Sequence, residues 1–82
     1  MENDSKLLAQ YANWFNIGHN NFEFVLDFGQ HHADQAGASI HTRIVTGPAY
    51  AKVLSALLNE SLERYEDAFG EIPDVDGEGP SC

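Results

Sequence analysis

The hydrophobic period of this chain changes at Gly47 and Pro48. Before that point apolar residues alternate two by two, as in Phe22, Phe24, Leu26 and Phe28. After it they recur every three or four positions, at Ala51, Leu54, Leu58, Leu62, Tyr65 and Phe69. Period two belongs to strands and period three to four to helices, so the chain must build strands first and then one long helix. This change constrains the fold and specifies no reaction.

Three strands are expected before the helix, at about Leu8–Ile17, Phe22–Gln30 and Ser39–Thr46. The stretch from Gly18 to Asn21 is rich in turn formers and short enough for a hairpin. His31 to Ala38 reads as a loop, with Asp34 and Gly37 as turn residues. Aligning the apolar faces pairs Phe15 with Phe24 and Tyr11 with Phe28. The second hairpin sets Phe24 against Ile44 or Thr46 and Asp27 against His41 or Arg43, an opposite-charge cross-strand pair. On the third strand, Ile40, Thr42, Ile44 and Thr46 are expected on one face. Pro48 suits the first helical position, with Thr46 or Gly47 as the cap, and Gly70 suits a left-handed stop after Phe69. The fold class is α+β: a three-stranded antiparallel meander and one C-terminal helix packed on one sheet face by Leu54, Leu57, Leu58, Leu62, Tyr65 and Phe69.

The chain divides into a flexible N-terminus (1–7), the ββ-β-α domain (8–70) and an acidic tail (71–82) expected to be disordered. About 60 residues then remain for a core, near the lower limit at which a single chain stabilises itself. The only cysteine, Cys82, excludes an internal disulfide. With no basic-then-apolar leader and no apolar run of spanning length, the expected setting is the cytoplasm and no membrane is expected as a partner. Net charge is −9, and Gln10 to Gly70 alone carries −4. Such a field repels DNA and RNA, so nucleic acid is not an expected partner.

The sheet face away from the helix is expected to carry Trp14, Val25 and Val45 as neighbours, bordered by Asp27, His41 and Arg43. These six are the expected interaction residues. An indole is costly to leave wet, and a meander has two open edges. The expected partners are therefore another copy, as a dimer or larger assembly, and a further protein.

Tyr11, Ala12 and Asn13, His19 and Asn20, and Glu23 through Phe28 form one block. Arg43 through Pro48, with Ala51, Lys52, Tyr65, Glu66, Phe69 and Gly70, form a second. Together they resemble domain of unknown function 3467, a family of small bacterial and archaeal proteins, over about Tyr11 to Ile72. That family usually carries Ser before the Pro, where Gly47 stands here. The resemblance implies a small strand-rich domain with a C-terminal helix and no assigned catalytic residues. The layout is also loosely similar to export-chaperone subunits of the SecB type, a likeness of fold alone.

Chemistry is thinly represented. His31, His32, Asp34 and His41 are the candidate metal ligands, since imidazoles with a carboxylate suit zinc or nickel. Adjacent histidines project to different sides of an extended chain, however, and no repeated ligand spacing occurs. Asp27 beside His41 lacks a nucleophile and an oxyanion loop, so a structural pair is the simpler assignment. No catalytic residue and no cofactor is expected. The expected function is a non-catalytic, oligomerising interaction module, adaptor or chaperone-like, with metal binding through the histidine loop as the alternative.

Overall fold

A computed structural model describes residues 7–32 and 37–75. The order is β1 (Trp14–His19), β2 (Phe24–His31), β3 (Ala38–Thr46) and α1 (Pro48–Phe69). The strands form one antiparallel sheet in the order β1-β2-β3, the expected meander.

Register departs from expectation at the first hairpin. Phe15 pairs with Phe28 and Ile17 with Leu26, four residues along β2 from the expected partners. The cause is local. The turn lies at 20–23, because the Asn20 carboxamide oxygen accepts from the backbone N–H groups of Phe22 (2.7 Å) and Glu23 (3.0 Å). The Asn20 N–H donates to the Glu23 carbonyl at 3.0 Å and closes the loop. An asparagine side chain thus imitates a backbone turn, and Phe22 becomes a loop residue. The expected strand over Leu8–Ile17 shortens to Trp14–His19. The chain before it turns toward β3, where the Tyr11 carbonyl lies 3.0 Å from His41 Nε2.

The second hairpin pairs Phe24 with Thr46, Leu26 with Ile44 and Asp27 with Arg43, one of the two expected registers. The ladder slips between Phe28 and Gly29: Phe28 faces Thr42 but Gly29 faces Ile40, leaving His41 as an extra residue. This β-bulge reverses the alternation of β3. Ile40 therefore shares a side with Trp14, which also pairs with Gly29, and not with Thr42, Ile44 and Thr46. Gly29 is buried between them. A Cβ there would stand 2.6 Å from the Ser39 carbonyl oxygen, so only glycine fits this approach of two backbones.

Helix α1 has the expected bounds. Gly47 caps it in extended conformation with Pro48 following, and Gly70 ends it at φ 99°. The expected packing of that helix on the sheet is overturned. No helix residue is buried, Leu58 is 57% exposed and Phe69 76%. The stripe has the right period but meets no sheet surface. Its first turn holds no acid and its last turn no base, so neither end is matched to the helix dipole. The core sits in the sheet instead, at Leu26 and Asp27 of the central strand, 8% and 6% exposed.

Among the described residues, no helix is long and apolar enough to cross a membrane. The expected tail is described only as far as Val75, without regular structure.

Candidate interaction surface

Strand alternation gives the sheet two unlike sides. One carries Phe15 and Ile17 from β1, Phe24, Leu26 and Phe28 from β2, and Ile44 from β3. Phe15 and Phe28 meet edge to face with centroids 5.8 Å apart, the favoured geometry for two rings. Near the turn, His19 stacks on Phe24 at 5.2 Å. The flanking residues of this side remain open: Phe15 is 48% exposed and Ile17 51%. Only Leu26, ringed by neighbours on both adjoining strands, is buried.

The other side is organised by charge. Asp27 receives two hydrogen bonds from Arg43, Nε to Oδ1 at 2.7 Å and a terminal guanidinium nitrogen to Oδ2 at 2.9 Å. This fork matches the carboxylate geometry. These hydrogen bonds hold the Asp27 carboxyl below its ordinary value, against the opposing pull of desolvation, and Arg43 is pushed up in return, chiefly by the same bonds.

Of the expected interaction residues, Val25 and Val45 pair directly, one step from Asp27 and Arg43. Trp14 does not join them. It pairs with Gly29, four residues along β2 from Val25, and is already half-buried. The expected cluster of three is thus two separate patches, split by the same register change that moved the first turn. His41 lies at the bulge, with Nδ1 2.7 Å from Thr42 Oγ1 and Nε2 3.0 Å from the Tyr11 carbonyl. It ties the incoming chain to β3 and makes no pair with Asp27.

One positioning residue escaped sequence reasoning. The Asn13 carboxamide faces the His31 backbone: its oxygen accepts from the His31 N–H at 2.7 Å and its nitrogen donates to the carbonyl at 3.2 Å. With the Asn13 N–H donating to Gly29 O at 3.0 Å, it extends the β1–β2 ladder beyond the strand. Nothing in its alternation pattern signals that role.

His31 and His32 are exposed, and Asp34 lies outside the described residues. Among the described residues, no group of three His, Cys, Asp or Glu is placed to hold a metal ion.

The sequence pattern of DUF3467 matches residues 2–74, nearly the whole chain. The chain belongs to this family. DUF3467 is described as a protein of unknown function, so membership assigns no reaction. No curated protein and no solved structure matches it.

Proposed function

We propose that this DUF3467 protein is a small cytoplasmic, non-catalytic interaction module that self-associates and takes an apolar polypeptide segment on the aromatic side of its sheet. The observation that carries the reading is the exposure of Phe15, Ile17 and Ile44 on the side that the helix leaves bare. A contiguous apolar surface marks an interaction site more than a random scatter does. An incoming segment has two routes to affinity, apolar contact with this side and strand addition at the free edges of β1 or β3. The Val25 and Val45 pair offers a second, smaller patch on the opposite side.

The test is fluorescence anisotropy of a labelled, permanently unfolded polypeptide, such as a reduced and carboxymethylated protein. Binding that is lost in Ile17→Asp/Ile44→Asp, with far-UV circular dichroism unchanged, supports the reading. Equal binding by both proteins, or none by either, overturns it.

A further inference from the structure

We propose that α1 pairs with α1 of a second copy, antiparallel about a two-fold axis near Glu60. This rests on the reading of the chain as a self-associating module and gives that association a geometry.

Exposure is the first argument. None of the 22 helix residues is buried, and along the stripe Leu54, Leu58, Leu62, Tyr65 and Phe69 are 41–76% exposed. Helices in water draw most of their stability from packing an apolar face, and this one buries no face among the described residues.

The second argument is self-complementarity. Turned end to end about the level of Glu60, the stripe matches itself: Leu58 meets Leu62, Ala51 meets Phe69, and Leu54 falls within one residue of Tyr65 of the second copy. Each large side chain thus meets a smaller or equal one, the condition for close helix packing at 8–10 Å between axes. A parallel pair would instead set Phe69 on Phe69 and Ala51 on Ala51.

Charge gives the third. Lys52 near the N-terminus and Glu66 near the C-terminus flank the same side of the stripe, and an antiparallel pair brings them together. It also sets the acidic last turn, unfavourable for its own helix dipole, beside the positive end of the other helix. A parallel pair would collect Glu63, Glu66 and Asp67 of both copies at one end.

Cross-linking in a Cys82→Ser background tests the geometry under mild oxidation. In the antiparallel pair Ser61→Cys lies close to the axis and forms a disulfide dimer. Leu54→Cys alone does not, because its two copies stand about 18 Å apart along the helices at 1.5 Å per residue, beyond disulfide reach. Leu54→Cys mixed with Tyr65→Cys cross-links. By light scattering the unmodified chain has twice its monomer mass, and Leu58→Asp raises the dissociation constant at least 100-fold while circular dichroism of the strands is retained. A monomer at every concentration, a dimer unaffected by Leu58→Asp, or Leu54→Cys cross-linking as well as the mixture overturns the pairing. If those results appear while the unfolded polypeptide still binds, the helix pairing fails and the module stands. If binding also fails, both fall.

Discussion

The sheet and the helix solve the same problem differently. The sheet satisfies its centre within one chain, though not its aromatic flank: Leu26 is buried, Asp27 has its guanidinium fork, and Asn20 and Asn13 spend their carboxamides on backbone groups. The helix has only local support. Its single ion pair among the described residues joins Glu60 to Arg64 at 3.5 Å, and Tyr65 leans on Phe69 at 5.0 Å between centroids. Both elements carry a regular apolar pattern, yet only one uses part of it. Periodicity therefore reports that a face will be covered, and says nothing about which molecule covers it.

The sharpest way to break this contrast is to cut the sheet's core. Leu26→Ala should lower the unfolding free energy by about 3 kcal/mol in urea titration, the usual cost of truncating a buried leucine. The matching Leu58→Ala, measured in dilution where copies are separate, should change it by less than ~0.5 kcal/mol. Equal effects would mean that the helix is packed in the single chain. Gly29→Ala comes next, at about 2 kcal/mol, because the new methyl meets backbone and not a yielding side chain. Asn20→Ala should cost about 1 kcal/mol through loss of the turn's hydrogen bonds, and a shift in amide resonances confined to 18–24 would locate the effect.

A subtler probe is acid. The folded Asp27 carboxyl sits below its ordinary value, so its contribution is complete above the usual carboxylate range near ~3.9 and disappears as pH falls through the folded value. The gap in urea midpoint between the unmodified chain and Asp27→Asn should therefore be constant from pH 7 to pH 5 and close toward pH 2. A gap that stays open at pH 2 would remove the carboxylate as its cause.

Much of this was readable beforehand. Pro48 and Gly70 mark both ends of the helix, because a missing donor and a tolerated positive φ are properties of single residues. Matching the second hairpin narrowed the partner of Asp27 to His41 or Arg43, and the structure takes Arg43. The first hairpin went astray because two registers both align apolar residues, and the tie is broken by one asparagine side chain folding back on Phe22 and Glu23. The bulge at His41 was illegible for a related reason: an extra residue in a strand leaves the composition of both flanks unchanged. Most consequential was the helix face, since its stripe fits a sheet and a second helix equally well in sequence.

The slipped rung between Phe28 and Gly29 has a consequence of its own. Because one surplus residue inverts everything on its N-terminal flank, Ile40 is delivered to the indole's half of the layer, and only a regular rung that took His41 into the ladder would return it to the phenylalanines. The side that this isoleucine joins is thus decided by whether its neighbour pairs or bulges, and excising that neighbour would straighten the rung while leaving the isoleucine where it is.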